Sequence, residues 1–380
     1  MKRFVILLAV CFSLSLALSG APVLAEGTYK IGAALPLTGP AQFLGEAERE
    51  TMNMAVEQIN AAGGVNGQML EVIYMDTKAD VNTAQSVVEK LINKDNVPVI
   101  VTTDSNSAVG TMDITERAQV VHLSVARADV FTAKGYAYCF RNQPTNQMLM
   151  DQYMLDLKKH LNTKKLAILV ANYPYGLSAL DGLKKAKLPE IDIVYENKFP
   201  METADFTPYL TSIKGSGADT IVLICVERHA IGVVTKFKEL GLDKAGIRLA
   251  GDDHVVEKAV LEAVGDKANG VYAQLVYHQT FNSAAEDFYK NYHQKFGKYP
   301  GSILHALGYA NVYAIYYGLK EAGTNSDSKA LADALRKIHY DSPLGTNASF
   351  DANGQLQGAS GRLAQVVDGK LEVNPANWTK

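Results

Sequence analysis

The sequence predicts an α/β protein made of two doubly wound parallel-sheet units in tandem, and three features carry that reading. Short apolar, β-branched runs lack the alternation of a half-exposed strand, as expected for a parallel sheet covered on both faces. Amphipathic helical patterns separate these runs. The same strand and helix grammar then restarts after Tyr138–Arg141, which gives a second unit of the same kind. At 380 residues, 47% hydrophobic and 20% charged, the chain is long enough for two cores and too apolar for disorder.

In the first unit, Ile31–Leu35, Leu70–Tyr74, Val99–Val101 and Val120–Ser124 read as strands. A helix from Gly45 to Ala62 carries Met52, Val56 and Ile59 on one stripe and stops at Gly63-Gly64, where glycine accepts a left-handed conformation. A second helix, Thr83 to Asn93, aligns Val87, Val88, Leu91 and Ile92. In the second unit, Leu166–Val170, Ile191–Val194, Thr220–Ile224 and Arg248–Ala250 are strands, with helices near 145–160, 176–187, 205–215, 229–240 and 255–264. From Val271 follow a strand, helices near 283–297, 302–322 and 327–338, and a closing pair of short strands after the Asp351–Gly354 turn. This last block is too interrupted to fold alone, so it completes the earlier units.

The N-terminus reads as a signal peptide over residues 1–25: Lys2 and Arg3, an uncharged run from Phe4 to Leu18, and the small-residue cleavage signal Val23-Leu24-Ala25. A membrane anchor would need ~20 apolar residues, and Ser19-Gly20-Ala21-Pro22 interrupts the run first. The expected location is therefore the periplasm. A net charge of -3, with 37 Lys plus Arg against 40 Asp plus Glu, offers no basic excess for nucleic acid. Cys11, Cys139 and Cys225 form no C-x-x-C pair, which excludes a zinc ribbon or iron–sulfur cluster. Whether Cys139 and Cys225 pair or stay buried as thiols is open.

No G-x-G-x-x-G, Walker sequence, G-x-S-x-G or H-E-x-x-H occurs. Ser326-Asp327-Ser328-Lys329 satisfies S-x-x-K at a loop-to-helix junction where Ser and Asp are ordinary caps. The eight His lack metal-ligand spacing, and no metal or cofactor is expected. Asn347-Ala348-Ser349 and Asn377-Trp378-Thr379 are formal glycosylation sequons of the kind chance produces. What remains is Thr102-Thr103-Asp104-Ser105-Asn106-Ser107, which follows an apolar strand and opens a helix. Free first-turn N–H groups, the positive end of the helix dipole and a hydroxyl together suit a carboxylate. Ser105 equally suits a plain helix cap.

Ile31-Gly32-Ala33-Ala34-Leu35-Pro36-Leu37-Thr38-Gly39-Pro40, then Leu44-Gly45, then Glu57 through Gly67, resembles the opening signature of the extracytoplasmic binding proteins of branched-chain amino-acid ABC transporters. The likeness continues through Phe140-Arg141, Tyr175-Gly176, Asp205-Phe206, Gly308-Tyr309 and Phe350-Asp351. It implies a type I periplasmic binding fold, with lobe 1 at 26–143 and 277–350, lobe 2 at 144–276 and 351–380, and three hinge crossings near Arg141–Thr145, Val276–Tyr277 and Phe350–Gly358. It further implies hinge closure on a small-molecule ligand, no catalytic step, and an ABC permease as partner.

Carried over by resemblance, Ser105 is the hydroxyl for a ligand carboxylate, Ala126 lines the pocket by its backbone, Tyr175 presses on the ligand from lobe 2, and Asp253 stands where a Glu pairs with the ammonium. Ala128 departs from a Thr, Val226 from a Tyr, and Leu44 from a Trp at the cleft mouth, so leucine-type specificity does not transfer. Arg127, Glu227 and Arg228 add charges near the pocket that solvated rim residues would equally explain. If an arginine faces inward, a second carboxylate or an aromatic acid becomes a ligand. The expected ligand is an amino acid or related carboxylate. The alternatives are an aromatic acid, an amide or urea-type solute, a sensor docking on a membrane receptor, and last a hydrolase using Ser105 or Ser107 with a His.

Overall fold

A computed structural model describes residues 27–39, 41–323 and 327–379; the expected leader and Ser326 of the S-x-x-K sequence lie outside these. The first unit runs β1 (Thr28–Leu35), α1 (Gln42–Ala61), β2 (Met69–Asp76), α2 (Val81–Asn93), β3 (Val99–Thr102), α3 (Ser105–Ala118), β4 (Val121–Ser124), α4 (Val130–Ala133) and β5 (Cys139–Arg141). The second runs α5 (Asn146–Leu161), β6 (Lys165–Ala171), α6 (Pro174–Lys185), β7 (Asp192–Phe199), α7 (Thr207–Ser216), β8 (Thr220–Ile224), α8 (Glu227–Glu239), β9 (Arg248–Gly251), a 3-10 turn (Asp253–Val256), α9 (Lys258–Val264) and β10 (Tyr272–Leu275). The chain ends with α10 (Ser283–Phe296), α11 (Ile303–Ala322), α12 (Ser328–Leu335), β11 (Tyr340–Ser342), β12 (Gly345–Phe350), β13 (Leu356–Ala359), β14 (Arg362–Val367) and β15 (Lys370–Glu372).

The two large sheets repeat one order. The first is β2-β1-β3-β4-β5, and the second is β15-β14-β10-β9-β8-β6-β7. In each, five strands are parallel, and β14 and β15 extend the second sheet antiparallel. The order reverses between β1 and β3 and again between β6 and β8. At such a switch point the loops leave in opposite directions, and the crevice beyond the strand ends is where doubly wound sheets take ligands. Central strands β3 and β8 are buried along their whole length, which is why they read as unbroken apolar runs.

Helices α10 to α12 return to the first lobe, where Phe288, Tyr292, Leu307, Ile315 and Leu335 join the core of β1, β3 and β4. α11 lies so close to α1 that a Cβ at Gly308 would stand 2.6 Å from the Glu48 carbonyl oxygen. We expect Gly308→Ala to cost ~1–3 kcal/mol by overpacking this crossing, measured by denaturant unfolding.

Several elements differ from the sequence reading. The closing strands are not a pair: β13 joins β12, whereas β14 joins β10 in the other sheet. The chain leaves the β11–β13 ribbon for the second sheet at residues 360–361, just beyond the Phe350–Gly358 stretch expected for the third crossing. β11 and β12 are polar strands whose pairing comes from tertiary context, with Tyr340, Ala348 and Phe350 reaching the core. The helix expected from 255 to 264 is broken, because Asp253–Val256 form a 3-10 turn before α9. Asp327, at the S-x-x-K junction, caps α12 by accepting from the Ala330 N–H. Cys139 and Cys225 are buried free thiols in cores of different lobes. No helix among the described residues is long and apolar enough to cross a membrane.

Candidate functional site

Both switch points open onto one cavity of about 320 Å³ between the lobes. From the first lobe it receives Ala41, Phe43 and Leu44 after β1, Thr103 to Asn106 after β3, and Val125 to Arg127 after β4. From the second it receives Tyr173 and Tyr175 after β6, Val226 after β8, and His254 and Glu257 after β9. Ile303, Leu304 and Leu307 of α11 add an apolar wall.

The α3 end of the cavity carries the N-terminus of that helix. Asp104, not Ser105, is the N-cap, accepting from the Ser107 N–H at 2.8 Å. Ser105 is thus the first helical residue, and it lines the cavity at the positive end of a 14-residue helix. Behind β4, buried Arg141 donates to the Ala128 carbonyl at 2.5 Å, and the Gln143 amide donates to the Val125 carbonyl. These bonds fix the loop that carries Ala126 and Arg127.

Arg127 is not a solvated rim residue. Its side chain is 12% exposed and pairs across the cleft with Asp253, 10% exposed, at 2.7 Å. It also donates to the Tyr175 hydroxyl at 2.8 Å, which in turn donates to Asp252 at 2.9 Å. Burial opposes the charge on Arg127, but Asp253 and the neighbouring acids hold the guanidinium above its ordinary pKa. Burial likewise opposes ionisation of Asp253, and Arg127 outweighs it, so the carboxyl lies below its usual range.

His254 Nδ1 stands 3.2 Å from Asp252 and 3.5 Å from Asp253. Burial disfavours the imidazolium, but these carboxylates lift it to about 9. Stability from His254 is then fully present below ~6.5, the unfolded value, and is lost as the pH rises through about 9. We expect the stability gap between the wild type and His254→Gln to shrink between pH 7 and pH 10, read by denaturant unfolding. The ligand atoms of Asp252, Asp253 and His254 lie within 4.8 Å of one another. A metal fits them poorly, because a guanidinium occupies Asp253 and a protonated imidazole has no lone pair to give.

Of the residues singled out from sequence, Leu44, Ser105, Ala126, Tyr175 and Val226 line the cavity. Asp253 stands behind Arg127, and the Ala128 carbonyl is held by Arg141. Arg228 turns away to the Met201 carbonyl. The aromatics expected to be lost at Leu44 and Val226 have neighbours in their stead: Phe43, 53% exposed at the mouth, and Tyr173, packed edge-on to Tyr175 at 5.8 Å. Nothing local in the sequence marks Glu257 or the α11 residues, which enter the site only through the fold. No imidazole bonds Ser105 among the described residues, and the His122 ring faces Thr102 and Thr115.

A family model described as periplasmic binding protein matches residues 28–370. Leu/Ile/Val-binding protein homolog 7 of Brucella suis is 27% identical, covering 95% of this chain and 94% of its own length. A leucine-, isoleucine-, valine-, threonine- and alanine-binding protein of Pseudomonas aeruginosa is 28% identical over 88% of each chain. Among solved structures, the branched-chain amino-acid transporter substrate-binding protein LivJ of Streptococcus pneumoniae, in complex with isoleucine, superposes with a TM-score of 0.79 at 25% identity over 91% of this chain and 98% of its own. A solute-binding protein of an ABC transporter from Rhodopseudomonas palustris, in complex with 3,4-dihydroxybenzoic acid, gives 0.79 at 26% identity over 90% and 95%.

Proposed function

Because this chain belongs to the periplasmic binding protein family, as an ABC-transporter substrate-binding protein and not an enzyme, we propose that it captures a small carboxylated solute between its lobes by hinge closure and passes it to an ABC permease. The observation that supports this reading is the placement of Ser105 and the α3 N-terminus on a cavity shared by both lobes. Desolvation between the lobes and charge-assisted bonds to the carboxylate supply affinity without a chemical step. The first reading is an amino acid or close analogue, in line with the names of the Brucella and Pseudomonas relatives. A second reading, an aromatic acid, draws on the inward-facing Arg127, the apolar α11 wall and the Rhodopseudomonas neighbour. Export by the leader at residues 1–25 belongs to the same proposal.

A thermal-shift screen tests it, since a solute that binds only the folded state raises the melting temperature. We expect shifts from amino acids or aromatic carboxylates. Shifts from urea or amides alone would contradict the carboxylate site.

A further inference from the structure

The cavity's acidic side chains on the second lobe outnumber their cationic partners. Its cations are Arg127, reaching over from the first lobe, and His254; their partners are Asp253 and Asp252 respectively. One carboxylate is left over, that of Glu257. It lines both the central cavity and a smaller adjoining one of about 120 Å³. Among the described residues it has no hydrogen-bond or ion-pair partner. Glu257 occupies the N-cap position of α9, where a side chain ordinarily accepts from the helix's first turn, yet it makes no capping bond. A half-buried carboxylate that neither caps its helix nor pairs with a cation, and that lines a space shared with Ile303, Leu304 and Leu307, leaves its oxygens free to accept from a bound solute.

We infer that Glu257 is the specificity-determining acceptor of the second lobe: it receives a hydrogen-bond donor of the bound solute, an ammonium or a hydroxyl, while Asp253 serves the inter-lobe bridge to Arg127. This assignment rests on capture of a carboxylated solute in this cavity. Both oxygens of Asp253 already face the Arg127 guanidinium, at 2.7 and 3.4 Å. The environment of Glu257 agrees. Burial holds its carboxyl up at about 7, with Asp253, Glu227 and Asp252 adding to the rise and His254 opposing it, so a cationic or strongly donating group of the solute beside it would favour the ionised form. The solute class is then bifunctional: a carboxylate at Ser105, an apolar body against α11, and a donor directed at Glu257.

The test pairs probes that differ only by the donor, measured by calorimetry on the full mature chain. L-leucine is set against 4-methylpentanoate, L-phenylalanine against 3-phenylpropanoate, and 4-hydroxybenzoate against benzoate. In the wild type the donor-bearing member of the binding pair is expected to be tighter, and Glu257→Gln to weaken it by at least ~10-fold while changing its donor-free partner by less than ~2-fold. Which pair responds tells ammonium from hydroxyl. Glu257→Ala, read alongside a melting curve, separates lost recognition from lost folding. Equal losses for both members of a pair, or no loss for either, would overturn the role of Glu257 and leave carboxylate capture standing. Binding by none of the six probes would overturn carboxylate capture itself.

Discussion

Ligand-free Arg127→Leu protein is expected to open. The Arg127–Asp253 pair is a direct charge contact across the cleft, and both side chains are almost out of water, at 12% and 10% exposure. Removing one partner of such a pair costs roughly 3–5 kcal/mol, because the other charge stays buried and unpaired. The protein has an escape, since parting the lobes rehydrates Asp253. A bias of that size moves a two-state equilibrium by roughly two to nearly four orders of magnitude, more than enough to exchange the populated form. Small-angle scattering should therefore give a larger radius of gyration for Arg127→Leu than for the wild type. The Arg127→Leu, Asp253→Leu double variant should return toward the wild-type value, because it leaves no charge stranded. Identical scattering from all three proteins would show that the bridge does not hold the lobes together.

Ser105→Asp should abolish carboxylate binding and leave the fold intact. An acidic residue in the first turn suits the helix dipole, so α3 tolerates the change, and the neighbouring Asp104 already caps it. The same change puts a fixed negative charge where the solute's carboxylate would rest. Losing one charge-assisted bond costs ~1.5–3 kcal/mol, and like-charge repulsion adds to it, so affinity should fall by more than ~100-fold. Ser105→Ala, which removes only the hydroxyl, should cost roughly 10-fold. Calorimetry against any solute that shifts the wild-type melting temperature checks both, and unchanged affinity in Ser105→Asp would remove α3 from the site.

Much of this architecture was readable because parallel strands covered on both faces leave an unmistakable apolar trace: β3 and β8 have no exposed residue. The edge strand β7 is exposed over much of its length, and its reading stopped well short of Phe199. β11 and β12 carry too few apolar residues to announce themselves. Site residues divide along similar lines. Ser105 stands out because a strand, a polar turn and a helix are consecutive in sequence. The significance of Arg127 depends on a carboxylate 126 positions away, and between two alanines it looks like any surface arginine. Resemblance aligned Asp253 with an ammonium-binding acid, whereas the fold gives it a guanidinium, a change that only the three-dimensional arrangement reveals. Glu257 is hidden for the same reason: its lack of a partner is a property of the assembled cavity.

The most direct test of the account is a crystal structure of the protein with the solute giving the largest thermal shift. The expected result is closed lobes, the solute's carboxylate within hydrogen-bond distance, about 3 Å, of the Ser105 hydroxyl and the first N–H groups of α3, and Tyr175 covering it from the second lobe. A solute bound outside the inter-lobe cavity, or one presenting a neutral or cationic group to Ser105, would contradict it.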